Sequence, residues 1–317
     1  MTTRPTDNST PKWWKPLTAP LLKGLTAYLG IVILLGLLQR KLLYFPQTAD
    51  TLPVRQHQAA SNLFPAARDV QLTCADGVTI RGWLLLQKPS SPHDQTDTRR
   101  PLVIYFHGNA GNRAGRTGWY QLLAAIGADV LTVDYHGYGD SEGNMSEAAL
   151  EMDCDAAWSF ATNDLGYQPR DIVVMGTSLG GAAAVYLTSR QCADDSRPGA
   201  LVTVATFSSM VDAGRSHYPW LPVRMILVDR YPSEDRIRHV TCPILQFHGD
   251  RDNVVHPQFG RKLFETAPEL SSCGVAKRWV DLPGVGHNDI VGTAGSLIQD
   301  ELASLIRRIR QQIASSH

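Results

Sequence analysis

One serine lies in a sequence context that is typical of a catalytic nucleophile. Residues 176–180 read Gly-Thr-Ser-Leu-Gly, follow the apolar run Ile172–Met175 and precede a Gly- and Ala-rich helical stretch. A nucleophile held at a sharp strand-to-helix turn needs small residues two positions to either side, and Gly176 and Gly180 meet that need. The sequence therefore predicts Ser178 as a nucleophile.

A second serine satisfies the same short pattern in a different context. Residues 139–143 read Gly-Asp-Ser-Glu-Gly, but no apolar helix begins until after Asn144. Because the short pattern is weak without its strand and helix, we interpret Ser141 as part of a glycine-rich loop.

A serine hydroxyl needs a base to accept its proton and an acid to orient that base. His287 lies in the glycine-rich stretch 283–289, just after the last predicted strand, where sites of open α/β sheets gather. It is the candidate base. Two candidate acids, Asp250 and Asp252, follow the strand before it, and Asp250 is the better placed of the two to hydrogen-bond its own turn.

Two backbone N–H groups are candidate donors to a negatively charged oxygen that develops during acyl transfer. One belongs to Leu179, directly after the nucleophile. The other is assigned to Asn109, in the stretch 107–112 that reads His-Gly-Asn-Ala-Gly-Asn after an earlier strand, with His107 bracing the loop. This set of residues requires no metal and no organic cofactor.

The elements that must position these residues alternate short β-branched runs with helical patterns. This alternation predicts a mostly parallel sheet of about eight strands with helices on both faces. The predicted strands are 78–86, 102–107, 129–134, 172–176, 200–205, 244–248 and 277–282, and the predicted helices are 118–126, 146–162, 179–189, 258–266 and 294–313. The stretch 89–100 is predicted to be a polar loop. Residues 207–240 are long enough only for a short cap. Its large apolar residues form either an acyl-facing wall or core; they are Trp220, Leu221, Met225, Ile226 and Leu227.

The amino-terminal segment 21–38 is apolar on all sides and is long enough to span a membrane. Trp13, Trp14 and Tyr44 flank it as interfacial aromatic residues would. The alternatives are a buried helix or a signal peptide, but no small-x-small cleavage site follows the apolar run. We therefore predict an uncleaved anchor, with a tail over 1–20, a connecting segment over 39–69 and a catalytic domain over 70–317.

Charge and cysteine content exclude several classes of protein. The chain has 317 residues with 30 Lys and Arg against 30 Asp and Glu, so it lacks the basic surface that nucleic-acid binding requires. Its five cysteines are widely spaced without a Cys-x-x-Cys pair, and we interpret all five as small buried hydrophobic residues. A slight excess of basic residues before the apolar segment favours a cytoplasmic amino terminus with the main domain on the outer, periplasmic or lumenal, side.

The motifs taken together resemble the α/β-hydrolase superfamily from about residue 70 to the end. They are HGNAGN at 107–112, DYHGYGDSEG at 134–143, GTSLGG at 176–181, HGDRDNVV at 248–255 and PGVGHND at 283–289. The stretches LLYFP at 42–46 and YPWLP at 218–222 are similar to the membrane-anchored branch that contains the fungal bud-emergence-type protein and mammalian abhydrolase-domain proteins. His136 departs from the arginine expected at its position, which puts an ion pair there in doubt.

The resemblance implies a serine hydrolase and, combined with spacing, favours Asp252 over Asp250 as the acid. The leading hypothesis is hydrolysis of carboxylic esters or thioesters, with a small or lipid-like acyl substrate and no nucleic-acid partner. An amide-cleaving peptidase using the same three residues is an alternative. A non-catalytic membrane scaffold that retains the fold is another.

Overall fold

An eight-stranded sheet forms the centre of the computed structural model, which describes residues 18–87 and 100–315. The strands are β1 Phe45–Pro46, β2 Arg68–Thr73, β3 Thr79–Leu85, β4 Leu102–Phe106, β5 Ala110–Gly111, β6 Asp129–Val133, β7 Ile172–Thr177, β8 Ala200–Val204, β9 Ile244–Gly249 and β10 Arg278–Leu282. The helices are α1 Thr18–Leu43, α2 Gln58–Leu63, α3 Thr117–Ala125, α4 Glu147–Ser159, α5 Leu179–Ala193, α6 Met210–His217, α7 Val223–Ile226, α8 Ser233–Ile237, α9 Pro257–Thr266 and α10 Ile290–Ser315.

The strand order in the large sheet is β10-β9-β8-β7-β4-β6-β3-β2, and β1 pairs separately with β5. Neighbours from β10 to β6 are parallel, whereas β3 is antiparallel to both β6 and β2. The predicted fold class, a mostly parallel sheet of about eight strands, is confirmed. The edge strand β2 is an addition that the sequence did not predict.

Both faces of the sheet are buried, as expected for parallel strands covered by helices. In β4 the side chains alternate, so that Leu102, Ile104 and Phe106 join the core under α4 and α5. Val103 and Tyr105 join the core under α3 and α10. The five-residue apolar strand therefore packs into two hydrophobic cores, one on each face of the sheet, and this packing fixes the point where the next loop begins.

The chain divides into two compact units, one ending at Gln39 and one beginning at Arg40. Residues 40–69, which the sequence predicted as a connecting segment, belong to the second unit. Phe64 is fully buried in its core, and the indole N–H of Trp83 donates to the carbonyl O of Leu52. Apolar residues in this segment therefore complete the face of the sheet beneath α3.

The amino-terminal helix α1 includes a 24-residue stretch, Pro20–Leu43, that is long and apolar enough to cross a membrane. It extends past the predicted end at Leu38. Of the predicted interfacial aromatic residues, Trp13 and Trp14 lie outside the described residues, as does most of the predicted polar loop 89–100.

Two expectations about individual side chains were wrong. Tyr44 is buried rather than interfacial, because its hydroxyl donates to Asp229 and contacts the hydroxyl of Tyr231. Cys273 is exposed, in the turn before β10, whereas the other four cysteines are buried as predicted.

A buried arginine fixes the loops that follow β4 and β6. Arg113 is 1% exposed, and its Nη1 lies 2.5 Å from Asp134 Oδ2 and 2.7 Å from Asp140 Oδ1. Its backbone N–H also donates to Asp134, and its Nη2 donates to the carbonyl O of Leu52. The guanidinium therefore ties the loop after β4, the loop after β6 and the 40–69 segment together.

We expect Arg113→Met to lower the free energy of unfolding by about 3–5 kcal/mol, because it leaves the buried Asp134 carboxylate without its cation. Urea unfolding of the detergent-solubilised full-length chain measures this. The control is Arg190→Met, which removes a half-exposed pair with Asp155 and should cost less than about 1 kcal/mol. Equal losses in the two variants would contradict the structural role given to Arg113.

Candidate active site

Ser178 lies at the turn between β7 and α5 and has a backbone conformation that non-glycine residues rarely adopt. Its φ is 53° and its ψ is −118°. Such strain persists only where the surrounding structure holds it. Here the Ser178 N–H donates to the carbonyl O of Val204, and the hydroxyl of Thr206 donates to the Ser178 carbonyl O. The neighbouring strand β8 and the loop after it therefore hold the turn, and no local sequence pattern indicated the contribution of Thr206.

The two glycines of the motif allow α5 to begin close against the sheet. A Cβ on Gly176 would overlap the carbonyl of Gly180, and a Cβ on Gly180 would overlap the carbonyl of Phe106 at the end of β4. The small residues at these positions are therefore a steric requirement of the turn that presents Ser178.

We expect Gly180→Ala to reduce both the reactivity of Ser178 and thermal stability, because the new methyl group displaces the first turn of α5 from β4. The control is Gly292→Ala in α10, where nothing lies within 4 Å of the added Cβ. That change should leave this reactivity unaltered and stabilise the chain by about 0.5–1 kcal/mol. Thermal scans and the rate at which a fluorophosphonate probe labels Ser178, measured on both variants, test the difference. Wild-type behaviour of Gly180→Ala would contradict it.

The structure brings the three residues predicted for nucleophile, acid and base together. His287 Nε2 lies 3.1 Å from Ser178 Oγ, and His287 Nδ1 lies 2.7 Å from Asp252 Oδ2. In this arrangement the serine hydroxyl donates to Nε2, and the ring N–H at Nδ1 donates to the carboxylate. The chain of hydrogen bonds joins residues 109 positions apart in sequence.

The Asp252 carboxylate is held ionised and fixed in orientation. It is 2% exposed, and its Oδ1 accepts backbone N–H groups from Val254 and Val255. Burial alone would raise the pKa of this carboxyl. Hydrogen bonds from His248, His287 and Val255 outweigh burial and hold the pKa of Asp252 well below its usual range. The other oxygen, Oδ2, lies 2.7 Å from His287 Nδ1 and 3.4 Å from His248 Nε2.

Two other carboxylates hold the loop that carries His287. Asp250 Oδ1 accepts the N–H of Gly284, and Asp289 Oδ1 accepts the N–H of Gly286. Asp250, the rival candidate acid, is therefore bonded to the base's loop rather than to the base. Sequence reasoning gave Asp250 a turn-forming role, but it did not identify Gly284 as the partner and it missed Asp289.

Histidines near the site other than His287 are engaged in structural hydrogen bonds. His248 Nε2 donates to the carbonyl O of Val255, beside Asp252. His107 is fully buried, with its Nδ1 2.8 Å from the carbonyl O of Gly108 and its ring 4.4 Å from that of Tyr135. His107 Nε2 also lies 3.1 Å from Asp134 Oδ1, but in a geometry that does not make a hydrogen bond.

The loop after β4 lies beside the nucleophile, where an oxyanion donor is needed. A Cβ on Gly108 would lie 3.6 Å from Ser178 Cβ. The next side chain, Asn109, is tied on both sides: its Nδ2 donates to the carbonyl O of Leu43, and its Oδ1 accepts the hydroxyl of Tyr138. Its side-chain amide is thus occupied in bracing the loop, which leaves the backbone N–H as the candidate donor.

The second candidate donor, the N–H of Leu179, belongs to the first residue of α5. The first four N–H groups of a helix have no partner within the helix and carry its positive dipole end. Such a group next to Ser178 favours negative charge at the carbonyl oxygen of a bound acyl group.

Ser141 occupies a structural position. Its hydroxyl donates to the carbonyl O of Asp134 and accepts the backbone N–H of Arg81. These two bonds tie the loop after β6 to β3, in agreement with the interpretation of this second motif as a loop.

One group of side chains among the described residues has ligand atoms close enough to hold a metal ion. These atoms, from Cys74, His136 and Asp153, lie within 4.8 Å of one another. They already bond one another, since His136 Nδ1 lies 2.6 Å from Asp153 Oδ1 and the Cys74 thiol donates to the same oxygen. His136 Nε2 bonds Asp76 on the other side, so the group forms a closed hydrogen-bonded network.

His136 thus makes ion pairs at the position where the resemblance led us to expect arginine. Burial lowers the pKa of His136, but the carboxylates of Asp153 and Asp76 outweigh burial and raise it above its ordinary value. The pairing links the loop after β6 to α4.

Comparison with known proteins agrees with this architecture. Residues 101–234 match the family model described as the alpha/beta hydrolase fold. The structure of the Pyrococcus furiosus esterase Pf2001 superposes with a TM-score of 0.62 over 84% of this chain and 98% of that one, at 15% sequence identity. At that identity the likeness shows the fold alone.

Several curated proteins are similar in sequence, among them the following three. The uncharacterized protein Rv2307c of Mycobacterium tuberculosis is 37% identical over 82% of this chain and 84% of its own. Protein bem46 of Schizosaccharomyces pombe is 32% identical over 69% of this chain and 70% of its own. Lysophosphatidylserine lipase ABHD12 of Danio rerio is 32% identical over 54% of this chain, and the match spans about half of that protein.

The fold and these matches define the chain as an α/β hydrolase, and it belongs to that family. Within the family it falls in the abhydrolase-domain branch that includes bem46 and ABHD12. The predicted resemblance is confirmed. The matched ABHD12 proteins are named as lysophosphatidylserine lipases, and the superposed Pyrococcus protein is named as an esterase.

Proposed function

We propose that this protein is a serine hydrolase that cleaves carboxylic ester or thioester bonds through an acyl-enzyme intermediate. The observation that carries the proposal is the hydrogen-bonded chain from Ser178 through His287 to Asp252, with Ser178 on a strained turn. A serine is activated when a histidine accepts its proton and a carboxylate orients that histidine, and these are the two contacts seen here.

The first half of the reaction forms a bond to Ser178. Its Oγ attacks the acyl carbonyl carbon while His287 Nε2 takes the hydroxyl proton. The carbonyl oxygen becomes negative and accepts hydrogen bonds from the N–H groups of Asn109 and Leu179. The bond to the leaving oxygen or sulfur then breaks, and His287 returns its proton to the departing alcohol or thiol.

The second half repeats these steps with water. His287 takes a proton from a water molecule that attacks the acyl-enzyme carbonyl, and the acid product leaves as Ser178 regains its proton. Asp252 stays ionised throughout, because its hydrogen bonds favour the carboxylate, and it stabilises the imidazolium that forms in each half.

Lipid-like acyl esters are the proposed substrate class. The named activity of the ABHD12 relatives, lysophosphatidylserine lipase, and the apolar amino-terminal helix of this chain support this choice. The test is hydrolysis by the full-length chain in detergent micelles of matched ester, thioester and amide substrates over a series of acyl lengths. Faster cleavage of esters and thioesters than of amides supports the proposal, whereas preferred cleavage of amides would replace it with a peptidase.

We further propose that α1 is an uncleaved single membrane anchor with the amino terminus cytoplasmic. The second unit, which begins at Arg40 and which we call the hydrolase unit, then lies on the outer side. The length and apolar composition of α1 support membrane insertion, and the slight excess of basic residues before it supports the orientation. Protease added to the outer face of the membrane that holds the chain, with that membrane still sealed, should then cleave the hydrolase unit. Digestion that occurs only after the membrane is opened would indicate the opposite orientation, with the hydrolase unit on the cytoplasmic side.

A further inference from the structure

The segment that follows β8 exposes large apolar side chains instead of burying them. Met225 is 83% exposed, Val228 62% and Trp220 55%, and Tyr218 is also exposed. We call these four residues the cap surface. Of the two alternatives that the sequence left open, the core alternative is wrong for Trp220 and Met225; Val223 is the residue of α7 that is buried. A cluster of exposed apolar residues of this size marks an interaction site rather than ordinary surface.

The cap surface lies beside the point where the chain enters the second unit. Arg40 is the first residue of that unit, and its guanidinium makes two hydrogen bonds to Asp229, at 2.9 and 3.0 Å. Tyr44 also bonds Asp229. Asp229 directly follows Val228. These hydrogen bonds therefore hold one end of the cap surface against the last residues of α1 and the residue that follows it.

The same region adds exposed apolar and basic side chains of its own. Leu42 and Phe45, on either side of Tyr44, are each more than half exposed. Four exposed basic residues lie in or next to these segments of the chain, and they are Lys41, Arg215, Arg224 and Arg230. The stretch 213–228 contains no Asp or Glu. The acids that bound the stretch, Asp212 and Asp229, are paired with Lys262 and Arg40. Apolar side chains interspersed with unneutralised basic ones are the composition that binds at a lipid headgroup boundary.

We propose that the cap surface inserts into the headgroup region of the same bilayer that α1 crosses, so that the hydrolase unit rests on the membrane. This inference rests on the proposed anchoring of α1 and goes beyond it, because an anchor alone leaves the hydrolase unit free of the lipid. Trp220 and Tyr218 supply the amphipathic rings that favour this interface, and the arginines pair with lipid phosphates.

The arrangement has a consequence for the candidate active site. The oxyanion loop is tied to the same entry point, since Asn109 Nδ2 donates to the carbonyl O of Leu43 at 2.5 Å. At its other end the cap segment contacts the loop of the acid, where His217 Nε2 bonds the carbonyl O of Val254. A cap surface seated in lipid therefore places the site next to the membrane, where an amphiphilic ester is concentrated.

The test measures how deeply the cap surface is immersed. The parent is the full-length chain with Cys273→Ser, which removes the one exposed cysteine among the described residues. A nitroxide spin label is attached to Met225→Cys, and, as a matched control, to Leu270→Cys. Leu270 is 59% exposed. It precedes β10 whereas the His287 loop follows that strand, so the control position lies toward the opposite end of β10 from the candidate site. Both variants change exposed side chains and should fold as the parent does.

The labelled chains are reconstituted into phosphatidylcholine and phosphatidylglycerol vesicles. Collision of each label with oxygen, which concentrates in lipid, is compared with collision with a water-soluble nickel complex. We expect an oxygen-to-nickel ratio several-fold higher at position 225 than at position 270.

Three outcomes would overturn the inference. Equal ratios at the two positions, in chains that float with the vesicles, would show that the cap surface faces water while the anchor still holds. A label at position 225 shielded from both reagents would indicate contact with a second copy of the chain. Failure of the chain to float would overturn the anchoring as well. None of these readouts depends on hydrolytic activity, so the proposed reaction at Ser178 is tested independently of them.

Discussion

Replacing Ser178 with Ala should reduce kcat for ester hydrolysis by about 10⁴-fold or more, because no other hydroxyl is in contact with His287 in the described structure. The variant should still bind substrate, since the methyl side chain removes only the nucleophile. Initial rates at saturating ester, with the protein in micelles, measure the loss. A variant that retains rates near those of the wild type would contradict the assignment of Ser178.

The matched control for this result is Ser141→Ala, which alters the other serine in the same short sequence pattern. Its hydroxyl joins Asp134 to Arg81 and does not face a base. We expect a loss of about 1 kcal/mol in stability and unchanged kcat. The pair of variants separates loss of a nucleophile from loss of a structural hydrogen bond.

Replacing Asp252 with Asn should lower kcat by about 10³- to 10⁴-fold with little change in structure. Asp252 Oδ1 accepts the N–H groups of Val254 and Val255, so the amide oxygen of the asparagine takes that place. Its NH₂ group then faces His287 Nδ1. A donor there favours the tautomer protonated at Nε2, which cannot accept the serine proton. The substitution also removes the negative charge that stabilises the imidazolium. Single-turnover measurement of acylation shows the loss most directly.

Asp250→Asn is the control for the acid, because Asp250 lies two residues away and accepts one backbone N–H, from Gly284. An asparagine oxygen can accept the same bond, so we expect activity within a few-fold of wild type. If Asp250→Asn were the more damaging of the two, the roles assigned to the acids would have to be exchanged.

Much of the site could be predicted because its residues lie in short motifs at strand ends. The carboxyl ends of parallel strands meet at one edge of a sheet, so residues following β7, β9 and β10 come together whatever the details of packing. That rule suffices to bring Ser178, Asp252 and His287 to one place. The choice between Asp250 and Asp252 needed the resemblance as well, since both follow the same strand.

The features that sequence reasoning missed depend on contacts between distant parts of the chain. Tyr44 looked interfacial because it flanks an apolar run, yet its partner Asp229 is 185 residues away. Thr206, which holds the strained turn at Ser178, carries no local pattern. Trp220 and Met225 were assigned by hydrophobicity, and hydrophobicity does not distinguish a core residue from one that is exposed to a partner.

The most direct test of the central claim is covalent labelling of membranes containing the full-length chain with a fluorophosphonate probe, followed by mapping of the modified peptide. The account predicts a single adduct on Ser178, unchanged in Ser141→Ala and absent in Ser178→Ala. A folded, membrane-inserted wild-type chain that does not react, or an adduct that persists in Ser178→Ala, would contradict it and favour a membrane scaffold that retains the hydrolase fold without its chemistry.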